Sequence, residues 1–113
     1  MPKARRYSVI ARPYGQDVVL YRDKDHMVKC LYRRQESRDE FRDGIESAYG
    51  VCTWENGTVS VGVFSGAKCT LVHELVHAGI KILERAGIDP LHANGEPLAY
   101  LVEDLYQRLE KHV

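Results

Sequence analysis

The sequence predicts an α+β fold in which a small antiparallel sheet of about four strands packs against helices. Short segments of alternating apolar residues, separated by turn residues, predict the strands. Two long amphipathic segments near the C-terminus predict the main helices. The chain of 113 residues has the length of one domain, so we assign residues 1–113 to a single domain.

The first predicted hairpin joins residues 7–12 and 17–22. Both segments are rich in β-branched and aromatic residues, which favour strands. Pro13 and Gly15 lie between them and are typical turn residues, so the two segments are expected to pair.

A charge-rich segment at residues 35–48 follows and predicts a solvated helix. Phe41 and Ile45 lie four residues apart, as they would on one face of a helix. Gly50 is the expected end of this helix. Residues 26–34 show no clear periodicity and stay unassigned.

The strongest strand signal is Asn56-Gly57, which lies between residues 51–54 and 58–64. An Asn-Gly pair flanked by alternating apolar residues predicts a hairpin with a tight turn. Apolar and small or polar residues alternate in the second strand, so its two faces differ. The apolar face carries Val59, Val61 and Val63.

Two long helices are predicted at about residues 68–86 and 97–111. Gly87 suits the end of the first helix. Asn94 is a candidate cap of the second helix, and Pro97 is a typical first-turn residue. The apolar stripe of the second helix consists of Leu98, Leu101, Val102, Leu105 and Leu109.

Charge and cysteine content argue against several classes of function. Sixteen Lys and Arg residues balance sixteen Asp and Glu residues, so the formal net charge is zero. A neutral chain has no strong electrostatic attraction for nucleic acids or anionic membranes, so we expect neither as a partner. Cys30, Cys52 and Cys69 are widely spaced, which is typical of reduced thiols rather than of a disulfide framework or a zinc finger.

The sequence also bears on localisation. The N-terminal segment carries charges but no apolar stretch of the kind found in signal peptides. No apolar run approaches the roughly 20 residues that a membrane-spanning helix needs. We therefore expect a soluble, cytoplasmic protein.

The segment His73-Glu74-Leu75-Val76-His77 lies inside the first long helix and is the main candidate site. Histidines four residues apart are displaced by about 40° around a helix, so both imidazoles can bind one ion. Imidazole is a common Zn²⁺ ligand, and the intervening glutamate can take a proton from a zinc-bound water. The spacing therefore predicts a zinc site with Glu74 as the base.

The same pattern has a plainer explanation. On a helical wheel, Lys81 and Glu84 lie on the same side as His73 and His77. The histidines could therefore belong to the ordinary polar face of a core helix. A catalytic zinc site needs three protein ligands, so a third ligand has to decide between the two explanations.

Glu96 is the candidate third ligand. Eighteen residues separate it from His77, and it opens the second long helix. The helix dipole alone also favours an acidic residue at that position. His92, in the loop before it, is a rival that would complete a three-histidine site.

This arrangement resembles the signature of the gluzincin metallopeptidases, in which H-E-x-x-H is followed by a spacer and then by Glu. In this chain the spacer between His77 and Glu96 is eighteen residues long. Ala99 matches the small residue that follows the glutamate by three positions. The hairpin ahead of the H-E-x-x-H helix is similar to the minimal zincin-like core. The short chain and the segment from Glu96 to Val102 also resemble small single-domain metallopeptidase-like proteins of bacteriophages and mobile elements.

The resemblance implies that His73, His77 and Glu96 bind Zn²⁺ and that Glu74 is the general base. Thermolysin-like members place an aspartate four residues after the glutamate ligand to hold a histidine. This chain has Tyr100 at that position, which departs from the pattern.

Two further roles follow from the resemblance. A ligand imidazole is expected to be oriented by Asp104 or Glu103, because carboxylates commonly hydrogen-bond to metal-bound histidines. Larger family members stabilise the oxyanion with a Tyr or His from elsewhere in the chain. Tyr100 is the catalytic candidate for that role here, with His92 and His112 as alternatives.

The function expected from the motif and the resemblance is zinc-dependent hydrolysis of a peptide bond in a protein or peptide substrate. If the strand at residues 58–64 lies at a sheet edge, Ser60 and Gly62 leave room for an extended substrate to pair with it. The phage-like resemblance places this activity in the host cytoplasm. The alternative is a non-catalytic zinc-binding or protein-interaction module, for example one that binds a host factor.

Overall fold

The computed structural model describes residues 5–113 and has an α+β fold, as predicted. The strands are β1 (Arg6–Ala11), β2 (Gln16–Tyr21), β3 (Gly50–Glu55) and β4 (Thr58–Val63). The helices are α1 (Lys24–Leu31), α2 (Gln35–Gly44), α3 (Lys68–Arg85) and α4 (Glu96–Leu109). Short 3₁₀ helices cover His92–Gly95 and Glu110–His112.

The four strands form one sheet in the order β1-β2-β4-β3. β1 pairs antiparallel with β2, and β3 pairs antiparallel with β4, so both predicted hairpins are confirmed. β2 and β4 are parallel, so the expectation of an antiparallel sheet is wrong at its central pair. A parallel pair needs a long connection, and here the chain passes through α1, α2 and β3 before it forms β4.

The β3–β4 turn has the backbone that its sequence predicts. Asn56 and Gly57 have φ values of 52° and 79°, as a type I′ hairpin turn requires. In register, Trp54 lies opposite Val59 and Cys52 opposite Val61. Because paired residues share a face, Cys52 and Trp54 lie on the same face of the sheet as the buried valines of β4.

The segment between the hairpins forms two helices where one was predicted. The Asp23 carboxylate caps α1 by accepting a hydrogen bond of 2.8 Å from the backbone N–H of His26. α2 ends at Gly44, well before the predicted end at Gly50, because Ile45 leaves the helical conformation and buries its side chain. Gly50 instead begins β3.

α3 and α4 pack on one face of the sheet and form the main core with it. The strands contribute Val9, Ala11, Val18, Leu20, Val59, Val61 and Val63 to this core. The two helices contribute Leu71, Leu75, Ala78, Ile82, Leu83, Leu101, Leu105 and Leu109. The predicted apolar stripe of the last helix is therefore the face that it buries.

A glycine sets the approach of the two helices. A Cβ built on Gly79 of α3 would lie 2.8 Å from Leu98 Cδ1 and 3.3 Å from Val102 Cγ2 of α4. Both distances are shorter than ordinary van der Waals contact, so glycine allows α4 to lie close to α3.

Within residues 5–113, no helix combines the length and apolar character needed to cross a membrane.

The start of α4 differs from its predicted cap. Gly95, with φ of 79°, occupies the N-cap position, and Asn94 makes no side-chain capping hydrogen bond. Ala93 and Asn94 also have left-handed φ values, of 52° and 60°. Three consecutive left-handed residues therefore lead into Glu96, and Ala93 is the one whose side chain tolerates that conformation least.

We predict that Ala93→Gly raises the free energy of unfolding by about 0.5–1 kcal/mol. Glycine removes the energetic penalty of a left-handed alanine in the folded chain, and this gain exceeds the stabilisation of the unfolded chain by the larger conformational entropy of glycine. Urea denaturation measures this change. Ala99→Gly is the matched control, since Ala99 is exposed inside α4 and its replacement should cost about 1 kcal/mol. Equal destabilisation by both substitutions would contradict a strained Ala93.

Candidate metal centre

Both histidines of the H-E-x-x-H segment lie on the exposed side of α3. Leu71 and Leu75 bury the opposite side of the helix, which leaves His73 and His77 exposed. The centroids of the two imidazole rings are 5.1 Å apart. Each of His73, Glu74 and His77 has one possible ligand atom within 4.8 Å of the others, so these atoms could converge on one ion.

Glu74 lies at the boundary between the exposed histidines and the core. It is 7% exposed, and its Oε2 is 4.0 Å from Nε2 of His73. Burial raises the pKa of the Glu74 carboxyl, and the charges of His73 and His77 oppose that rise. A carboxyl with a raised pKa beside two imidazoles suits a general base for a metal-bound water.

The site opens into a cleft of about 550 Å³ between α3 and β3. Gly50 makes this arrangement possible, because a Cβ there would lie 2.6 Å from Thr70 Cγ2 and 3.1 Å from Glu74 Cγ. The glycine thus lets the edge of the sheet approach the carboxylate closely. The remaining lining residues are Val51, Cys52, Thr53, Trp54, Ile80, Lys81 and Glu84, together with the H-E-x-x-H residues His73, Glu74 and His77.

Two neighbours define the chemistry of the cleft. Burial and the negative charge of Glu74 raise the pKa of Cys52 to about 12, although the charge of Lys81 opposes the rise, so this thiol stays protonated at neutral pH. At the far end, the Arg85 guanidinium lies 3.9 Å from the centre of the Trp54 ring, in cation–π contact. These residues were not predicted to line the site, although Gly50, Cys52 and Trp54 alternate along β3 as residues of one face do.

The structure does not bring Glu96 to the histidines. Leu98 packs over Gly79 of α3, and Glu96 lies two residues earlier, about 200° away around α4. Its exposed side chain is therefore on the side of α4 turned away from α3. Across residues 5–113, His73, Glu74 and His77 form the one group of at least three possible ligands close enough to share an ion.

The residues expected to assist the site lie elsewhere. Tyr100, which is 68% exposed, lines a groove beside the β1–β2 turn together with Glu103 and Asp104. Asp104 forms an ion pair of 3.1 Å with Arg108, one turn further along α4. The geometry therefore gives no support to Tyr100 as an oxyanion donor or to Asp104 and Glu103 as partners of a ligand imidazole.

The other two histidines considered for the site are also separate from it. His92 is exposed in the short 3₁₀ helix before α4. His112 stacks on Tyr7 of β1, with ring centroids 3.6 Å apart. Neither histidine lines the cleft between α3 and β3.

The expected substrate contacts of β4 are wrong, because β4 is an inner strand between β2 and β3. Ser60 is 1% exposed, and a Cβ on Gly62 would lie 2.5 Å from the Phe64 ring. These two residues are therefore covered by the protein itself. The strand at the sheet edge beside the histidines is β3.

No family model, curated protein or solved structure matches the chain. The resemblance to gluzincins therefore rests on the H-E-x-x-H segment and its spacing to Glu96. The structure adds the fold class, a four-stranded mixed sheet packed on helices, and a cluster of three possible metal ligands on α3.

We predict that Glu74→Gln becomes increasingly stabilising, relative to wild type, as pH rises from about 4.5 towards neutrality. Because the pKa of Glu74 is raised on folding, the unfolded chain loses this proton at a lower pH than the folded chain does, and the free energy of unfolding of the wild type falls as pH rises between the two pKa values. Urea titrations in a chelating buffer at several pH values measure the difference.

The control for this prediction is Glu84→Gln, which removes an exposed carboxylate from the same helix. It reports the background effect of losing one negative charge on α3. A stability difference between wild type and Glu74→Gln that stays constant or shrinks with rising pH would contradict the burial argument.

Proposed function

We propose that the chain is a zinc-dependent peptidase in which His73 and His77 hold the ion and Glu74 is the general base. The observation that supports this most is the mutual approach, within 4.8 Å, of possible ligand atoms from His73, Glu74 and His77 on the open side of a core helix. A bound zinc ion would supply an acidified water and a positive charge beside a scissile carbonyl. Glu74 would accept the proton of that water and pass it to the leaving amine.

The position of β3 favours an extended peptide as the substrate. β3 pairs with β4 on one side only, so its other side offers backbone N–H and C=O groups for a further strand. Gly50 and Cys52 of β3 line the same cleft as His73 and His77. A peptide added to β3 would therefore run along the cleft.

The position of Glu96 supports a second candidate function. A catalytic zinc needs three protein ligands, and Glu74 cannot be a ligand and a free base at the same time. Because Glu96 lies on the far side of α4, Glu74 is the carboxylate best placed to be the third ligand. A zinc ion held by His73, Glu74 and His77 would have no free base beside it, so this arrangement favours a non-catalytic zinc-binding module. For peptidase activity, the first turn of α4 has to rotate so that Glu96 replaces Glu74 as the third ligand.

We predict that the wild-type chain binds about one zinc ion and that His73→Ala abolishes this binding, because one imidazole and one carboxylate hold zinc weakly. Metal analysis after dialysis measures the stoichiometry. His92→Ala removes an exposed histidine outside the cluster and should leave the stoichiometry unchanged. Equal zinc content in wild type and His73→Ala would remove the basis for the site.

The two candidate functions predict opposite results for two conservative substitutions. For a peptidase, Glu74→Gln retains zinc and lowers the cleavage rate by about 10²–10⁴-fold, because only the base is lost. Glu96→Gln then weakens zinc binding. Zinc affinity by competition with a chelating dye, together with cleavage of a broad peptide library, measures both effects.

For the non-catalytic module, Glu74→Gln weakens zinc binding and Glu96→Gln does not. The wild-type chain then cleaves no peptide in the library. This combination of results would overturn the peptidase proposal and support the module.

A further inference from the structure

A second cluster of reactive side chains lies at α1, outside the metal centre. Cys30 and His26 are four residues apart on this helix, and the Cys30 Sγ is 3.5 Å from Nε2 of His26. Arg6 of β1 donates a hydrogen bond from Nη1 to the same sulfur over 3.8 Å. We propose that Cys30 is a nucleophilic thiol that hydroperoxides oxidise, with His26 as its proton acceptor and Arg6 as its stabilising cation.

This cluster was not predicted from the sequence. His26 contacts Cys30, and its ring lies 6.0 Å from the Tyr21 ring. The signal was the spacing of four between His26 and Cys30, but residues 26–34 showed no periodicity that predicted a helix there. Without the helix, the two side chains could not be placed together.

Tyr21 completes the surroundings of the thiol without competing for charge. Burial raises the pKa of Tyr21, although a hydrogen bond with Arg6 opposes the rise. Tyr21 therefore stays neutral, and the Arg6 guanidinium keeps its full charge available to a developing thiolate. Cys30 lies in the last turn of α1, where the partial negative charge of the helix C-terminus disfavours a thiolate. The positive charge of Arg6 opposes this effect.

The other two cysteines provide internal comparisons. Cys52 is largely buried, and its pKa of about 12 keeps it protonated. Cys69 is exposed on α3, four residues before His73. Among the described contacts, the Cys69 sulfur makes no hydrogen bond, so it has the helical spacing of Cys30 but not its partners.

The proposed reaction is balanced by groups at the site. His26 takes the thiol proton, and the sulfur attacks one oxygen of the hydroperoxide. An S–O bond forms and the O–O bond breaks, so that sulfur loses two electrons and the peroxide gains them. The leaving oxygen takes the proton from the His26 imidazolium and departs as water or an alcohol. Cys30 becomes a sulfenic acid, which a second thiol can reduce.

The test measures oxidation of each cysteine in the intact, metal-free chain by hydrogen peroxide at pH 7. Dimedone traps the sulfenic acid, and peptide mass spectrometry quantifies the labelling of Cys30 and Cys69. We expect Cys30 to be labelled on the order of tenfold faster than Cys69, because only its sulfur has a cation and an imidazole beside it. Equal rates at the two residues would overturn the proposal.

Three variants assign the effect to the neighbours. His26→Gln and Arg6→Gln should each bring the rate at Cys30 towards that of Cys69, whereas Arg6→Lys keeps a cation and should keep most of the rate. Unchanged rates in the first two variants would contradict the assigned roles. Iodoacetamide is the parallel probe, and a Cys30 that reacts fast with iodoacetamide but not with peroxide would overturn hydroperoxides as the oxidant.

Discussion

The packing of α3 on the sheet is the interaction on which the candidate site depends. Leu71, Leu75 and Ile82 are buried against the valines of the inner strands, and each such side chain contributes about 1.5–3 kcal/mol. Because side chains repeat every 3.6 residues, fixing these three also fixes the open side of the helix. His73 and His77 are thereby held in solvent beside the edge of β3, and any change that rotates α3 moves the core and the site together.

Much of the fold follows from local signals in the sequence. Asn56-Gly57 predicts its hairpin because a type I′ turn requires left-handed backbone at both residues. The parallel pairing of β2 with β4 could not be predicted, because it joins segments separated by two helices and a strand. Both strands have alternating apolar residues, and this pattern is the same whichever strand they pair with. Because β4 pairs with β2 as well as with β3, β4 lies inside the sheet and β3 lies at its edge.

The site was predictable where it is confined to one helix. His73, Glu74 and His77 share a turn of α3, so their approach follows from helical spacing alone. The relation of Glu96 to them depends on how α4 rolls against α3. Gly79 fixes the rotation of α4 about its own axis, because Leu98 of α4 packs into the space that a side chain at position 79 would fill. A wheel for a single helix shows that Glu96 opposes the leucine stripe, but not that α3 covers this stripe.

The proposed metal centre depends on two imidazoles of α3 that bind one ion beside β3. Anomalous diffraction at the zinc edge, from crystals grown with Zn²⁺, locates such an ion independently of any activity. We expect a peak about 2.0–2.1 Å from one ring nitrogen of His73 and one of His77. A zinc ion held elsewhere, for example by His26 and Cys30, with none at His73 and His77, would contradict it.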